Sequence, residues 1–157
     1  MIGGAVKDGR DIQERLAAAA AACARDGARL TDIRREVFGL ILAAGGPVGA
    51  YKLLDQLKAT RRNTAPPTVY RALDFLLQHH LIHRVERLNA FVPCDDVGHH
   101  DHAVQFLICR TCGGVDEVED QGVADALRLA ADAQGFVAGH ATVEVEGTCA
   151  ACAGLPT

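Results

Sequence analysis

Long apolar runs are missing from this 157-residue chain. A membrane-crossing helix needs about 18 or more consecutive apolar residues, and none is present, so no spanning segment is expected. The opening, MIGGAVKDGRDIQERL, is broken by charges. It lacks the unbroken apolar stretch of a secretory signal, so a cytoplasmic location is expected. Also absent are HExxH and the HxE…PCxxC arrangement, which excludes the common patterns of metallohydrolases and nucleotide deaminases. Basic residues run out past position 90: residues 91–157 hold two Arg and no Lys against 11 Asp and Glu, a net of −9. An acidic half is repelled by nucleic acid.

What the chain has is divided in the opposite sense. Residues 1–90 carry 14 Lys and Arg against nine Asp and Glu, a net of +5, so any contact with a polyanion belongs there. Five of the six cysteines and four of the seven histidines lie after residue 90. A reducing compartment disfavours structural disulfides, which leaves metal or redox chemistry for the thiols.

The basic half reads as helices. Residues 11–26 are alanine-rich, with strong helix propensity, and Gly27 stops them. Thr31 suits an N-cap for a helix whose Ile33, Val37, Leu40 and Ile41 recur at helical spacing, ended by Gly45-Gly46-Pro47. A third helix is expected at about 50–59, with Leu53, Leu54 and Leu57 on one side. Arg61, Arg62 and Asn63 make a polar linker. The fourth helix, APPTVYRALDFLLQHH, opens on Pro66 and Pro67. It buries Val69, Leu73, Leu76 and Leu77, leaving Thr68, Tyr70 and Arg71 exposed near its N-terminus.

Base edges are read by the N-terminal residues of a recognition helix, where Arg bonds guanine and Tyr touches a phosphate or a thymine methyl. LIHRVERLNAFVPC then reads as two short strands around a polar turn near Arg87–Asn89. Helices followed by such a hairpin indicate a winged helix, with Arg84 and Arg87 available to phosphates. An exposed Tyr-Arg pair is also a common feature of a solvated helix face, so the pattern alone leaves both readings open.

The acidic half reads as strand, strand, helix, strand: 103–109, 115–119, 122–134 and the alternating FVAGHATVEVEG at 136–147. This predicts a small sheet with one covering helix, and an α+β class for the whole chain. Cys109 and Cys112 follow one strand, Cys149 and Cys152 another. If those strands are neighbours, the four sulfurs converge as in a closed tetrahedral zinc site, with Gly113 and Gly114 admitting the sharp turn. A thioredoxin-like redox motif would open a helix rather than close a strand. A second donor set comprises His83, Cys94, His99, His100, Asp101, His102 and Glu117. An ion shared by His83, Cys94, His102 and Glu117 would clamp the basic half to the acidic half. The thiolate of Cys94 favours zinc over ferrous iron or manganese.

CARDGARLT, PPTVYRALDFL, FVPC and ICRTCGG together make the chain resemble zinc-sensing members of the ferric uptake regulator family, over about residues 20–153. The resemblance implies a winged helix-turn-helix DNA-binding domain at 1–88, a hinge at 89–95 and a small α/β metal-binding dimerisation domain at 96–157. It implies a homodimeric repressor of zinc-uptake genes on double-stranded operator DNA. Neither catalysis, a membrane nor a small-molecule substrate beyond the metal ion is expected. Structural zinc falls to Cys109, Cys112, Cys149 and Cys152, and sensory zinc to His83, Cys94, His102 and Glu117. Tyr70 and Arg71 match DNA-reading positions, and Tyr51 matches a backbone contact. Two zinc ions per chain follow, with His100 and His140 as candidates for a third site.

The chain has Asp32-Ile33 where the family commonly has Pro-Gln, which weakens any phosphate contact there, and it ends soon after Cys152 without the tail of some relatives. His99-His100-Asp101-His102 also resembles the cluster of iron sensors. An iron-, manganese- or peroxide-sensing repressor is therefore the alternative, and a zinc hydrolase a more distant one. Cys23 is expected to be a small buried hydrophobe, His79 and His80 to cap the carbonyls of the fourth helix or face solvent, and Asp55 with Lys58 to be an ordinary surface pair or a contact between dimers.

Overall fold

The computed structural model describes residues 9–95 and 103–154, which fall into two compact units divided between positions 98 and 99. Four helices build the first unit: α1 (Gly9–Arg25), α2 (Asp32–Ala43), α3 (Ala50–Thr60) and α4 (Pro66–Gln78). Each presents an apolar stripe at helical spacing, and the stripes meet in one core that includes Ala19, Phe38, Leu53, Leu57, Leu73 and Leu76. Gly27, at φ 71°, takes the left-handed turn that ends α1. Thr31 stands at the N-cap of α2, but only its backbone contributes: Arg35 N–H donates to its carbonyl at 2.8 Å, and its side chain makes no capping bond. In α4, Ala72 and Phe75 join the buried stripe, while Leu77 is only half-buried.

The hairpin follows: β1 (Ile82–Val85) and β2 (Ala90–Pro93) pair antiparallel around a 3-10 turn at Glu86–Leu88, closed by Asn89 at φ 46°. Val48, between α2 and α3, exchanges both backbone hydrogen bonds with Phe91, at 3.0 and 2.9 Å, and so docks the hairpin onto the helices. Residues 90–93, expected within a hinge, are thus a paired strand of the first unit.

The second unit holds β3 (Val104–Cys109), β4 (Val115–Val118), α5 (Gln121–Asp132), β5 (Thr142–Gly147) and a single turn, α6 (Ala150–Ala153). Strand order is β4-β3-β5, with β4 antiparallel and β5 parallel to the central β3. The buried amide of Gln105 donates to the carbonyl of Asp120 at 2.9 Å, and the Asp120 carboxylate accepts the N–H of Val123 at 3.0 Å, fixing the start of α5 to the sheet. Two expectations need correction. The last strand begins at Thr142, because Gly135 (φ 67°) breaks the chain after α5 and residues 136–141 pair with nothing as a strand. The helix does not bury its stripe within one chain: no residue of α5 is buried, and Val123, Leu127 and Leu129 are exposed.

Candidate metal centre and nucleic-acid interface

Topology explains how cysteines 40 positions apart meet. β3 ends on Cys109 and is in parallel register with β5, Cys109 facing Gly147. Both CxxC loops therefore leave the same end of the sheet. Arg110 N–H donates to the Gly147 carbonyl at 2.9 Å, and Gly113, at φ 73°, turns the first loop back. The four sulfurs of Cys109, Cys112, Cys149 and Cys152 all lie within 4.8 Å of one another, with Cys112 Sγ and Cys149 Sγ at 4.0 Å. A tetrahedral ion with metal–sulfur bonds of about 2.3 Å has sulfur–sulfur edges of about 3.8 Å, so the spacing fits.

The electrostatics point the same way. The backbone N–H of Cys149, 3.3 Å from Cys109 Sγ, and those of Cys112 and Thr111 bring the Cys109 thiol down to about 5. Cys152 is pushed up to about 12, by the Cys149 sulfur first and by burial next. Four thiols this close cannot all ionise without a cation among them. The expectation that neither pair opens a helix is corrected at Cys149. Cys149 caps α6 and accepts the Cys152 N–H at 3.4 Å, so the second pair does open a helical turn. Convergence of four sulfurs, rather than the placement of each pair, separates a metal site from a redox dithiol.

The second donor set is divided. His83 lies on β1 and Cys94 one residue beyond β2, both in the first unit, with ligand atoms within 4.8 Å of each other. Cys94 is buried, and its N–H donates to the Leu81 carbonyl at 3.0 Å. Glu117 is in the second unit, half-buried on β4 opposite Phe106. His99, His100, Asp101 and His102 lie outside the described residues. His140 is exposed, with Nε2 3.2 Å from Thr142 Oγ1, and joins no ligand cluster among the described residues.

The expected DNA-reading residues sit on the first unit. Tyr70 (46% exposed) and Arg71 project from the first turns of α4, and Tyr51 (76% exposed) from the start of α3. Thr68 is half-buried, its N–H bonded to the Ala65 carbonyl at 3.0 Å. Arg87 is exposed in the wing turn. Arg84 braces the wing, with Nε 3.2 Å from Glu86 Oε2 and Nη2 donating to Asn89 Oδ1 at 3.1 Å.

Comparison with known proteins decides the family. Residues 25–146 match the model of the ferric uptake regulator family. The chain belongs to the ferric uptake regulator family. Similar to it is the zinc uptake regulation protein of Escherichia coli strain K12, 42% identical over 140 residues, covering 89% of this chain and 82% of that protein. A solved zinc uptake regulator complexed with zinc and DNA is 40% identical, with TM-score 0.88, covering 94% of this chain and 97% of that one. The crystal structure of holo XcZur is 46% identical, with TM-score 0.83 and coverage of 90% and 98%. Ferric uptake regulator family proteins are transcription regulators, so the chain is not an enzyme.

Helix α2 is fastened to the end of α3 by residues that no sequence pattern singles out. Glu36 of α2 bonds Arg61 Nε at 2.6 Å and also the Thr60 hydroxyl, and Thr64 caps back onto the Arg61 carbonyl at 2.8 Å. Burial alone would raise the Glu36 carboxyl, but the bonds from Thr60 and Arg61 hold it below the ordinary range. A lone Glu amid helix-surface charges carries no periodic signal. Arg15 of α1, bonded to the Cys94 carbonyl, is another such residue.

Proposed function

We propose that this chain is a zinc-responsive transcriptional repressor that binds operator DNA as a homodimer and controls zinc-uptake genes from the cytoplasm. The observation that carries the reading is the likeness of nearly the whole chain to a zinc uptake regulator complexed with zinc and DNA. No helix among the described residues is long and apolar enough to cross a membrane.

In this reading Cys109, Cys112, Cys149 and Cys152 hold a structural zinc ion, which supplies fixed coordination to a unit with little core. Exposed Leu107 and Val145 on the sheet, with the stripe of α5, give a second copy an apolar face to cover. His83, Cys94, His102 and Glu117 form the sensory set, giving two zinc ions per chain. His83 and Cys94 stand on the DNA-binding unit and Glu117 on the dimerisation unit, so sharing one ion would restrict how the units move. Two reading helices held at successive major grooves, about 34–36 Å apart, engage together. Losing that simultaneous engagement costs on the order of a hundredfold in affinity. Tyr70 and Arg71 read the groove, while Tyr51, Thr68, Arg84 and Arg87 line the backbone.

Operator binding titrated against buffered free zinc, and separately against ferrous iron, tests the reading. Tight binding that appears as zinc rises supports it. Binding indifferent to zinc, or tuned to ferrous iron, overturns it.

A further inference from the structure

Arg15 stands in the second turn of α1, 79 positions before Cys94, yet its Nη2 donates to the Cys94 carbonyl at 2.6 Å. The side chain is only 17% exposed. Next to it Leu16 is buried against α2, in the space left by Gly39, where an added Cβ would lie 3.8 Å from Leu16 Cδ1. Further along α1, Ala19 and Cys23 are buried in the same core. Helix α1 is thus anchored in the winged-helix core while its arginine reaches the residue beyond β2.

We propose that Arg15 is a positioning residue for Cys94, holding the peptide of a zinc-sensing ligand so that its sulfur is aimed before the ion arrives. The inference rests on the reading of Cys94 as a sensory ligand. Both backbone polar groups of Cys94 are engaged: its N–H by the Leu81 carbonyl at 3.0 Å, its carbonyl by the Arg15 guanidinium. With both ends of the residue tied, the Cα–Cβ direction is fixed by two different elements. The bond is charge-assisted and short, which places it among the stronger hydrogen bonds. The neighbouring carboxylate does not substitute for it: Asp95 Oδ1 is 3.9 Å away and Asp95 is 71% exposed, a screened pair. A guanidinium this buried needs an acceptor, and the Cys94 carbonyl is the acceptor it has taken. Groups that orient a metal's ligands commonly change metal affinity by about 10- to 100-fold when removed.

The test uses the full chain with its four-cysteine site loaded with zinc, comparing Arg15→Ala, Arg15→Lys and Cys94→Ser. One readout is the free zinc concentration at half-maximal operator binding. The other is the thiolate-to-cobalt charge-transfer band formed on adding cobalt(II). Arg15→Ala is expected to move the half-point upward by about 10- to 100-fold and to weaken the band. Operator affinity at saturating zinc is expected to stay at the parent value. Arg15→Lys, which keeps a cationic donor, is expected to recover part of the shift. A half-point unmoved in Arg15→Ala overturns the inference. So does a shift with an unaltered cobalt band and an equal loss of affinity at saturating zinc, because α1 would then only prop the fold. Cys94→Ser separates the two levels: if it keeps the full zinc response, the sensory assignment of Cys94 falls; if it abolishes the response while Arg15→Ala is inert, only the role of Arg15 falls.

Discussion

The two units of this chain reach stability by different means. In the first, all four helices and the hairpin contribute buried side chains to one core, and Phe38, Leu53, Leu57, Leu73 and Leu76 are fully enclosed. In the second, the buried side chains come from Ala103 and β3, above all Phe106 and Ile108, while β4, α5, β5 and α6 bury none. Units this small usually need a metal, disulfides or a partner when the core is thin. The first unit therefore closes a core of its own. In the proposed reading, four zinc-bound thiolates and a second copy complete the second.

The largest expected effect follows from that contrast. Cys112→Ser should lose one zinc ion per chain and the dimer, because a structural zinc site contributes on the order of 10–16 kcal/mol. The helical circular dichroism of the first unit should persist. Light scattering and zinc content check this, and a stable dimer with parent zinc content would erase the distinction between the units. The converse change, Leu73→Ala in α4, should cost the first unit about 2–5 kcal/mol in denaturant unfolding without altering zinc content. Arg71→Ala should weaken operator binding by about 1–3 kcal/mol. If Arg71 reads a base, the salt dependence should barely change; a phosphate contact would lower its slope by about 1.

Smallest is Glu36→Gln, which loosens the tie between α2 and the end of α3. Because the Glu36 carboxyl is held below its ordinary range, its contribution is present above the unfolded value of about 4.3 and fades as pH falls through the folded value. Melting curves should therefore show a gap between variant and parent at neutral pH that closes in acid.

Much of this was legible in the sequence, for identifiable reasons. Alanine-rich composition marked α1, and helical periodicity marked α2 to α4 because their apolar stripes pack within a single chain. The CxxC pairs marked the cluster of four sulfurs because the spacing within each pair is local. The periodicity of α5 was legible too, but its destination was not: Val123 and Leu127 look like core residues, yet they stand 37% and 38% exposed among the described residues. Polar ties formed across the fold carry no sequence signal. Arg15 meets the Cys94 carbonyl, and Glu36 meets Arg61 and Thr60, through contacts that no spacing rule connects. The ties of the Arg84 guanidinium to Glu86 and Asn89 within the hairpin likewise follow from the turn's geometry and not from any spacing in the sequence.

The most direct measurement of the central claim, that Cys94 belongs to a zinc-sensing set distinct from the structural four, is operator affinity of the Cys94→Ser chain with and without saturating zinc. The expected result is a folded dimer that keeps its four-cysteine zinc and binds operator equally weakly in both conditions. A parent-like gain in affinity on adding zinc would contradict it.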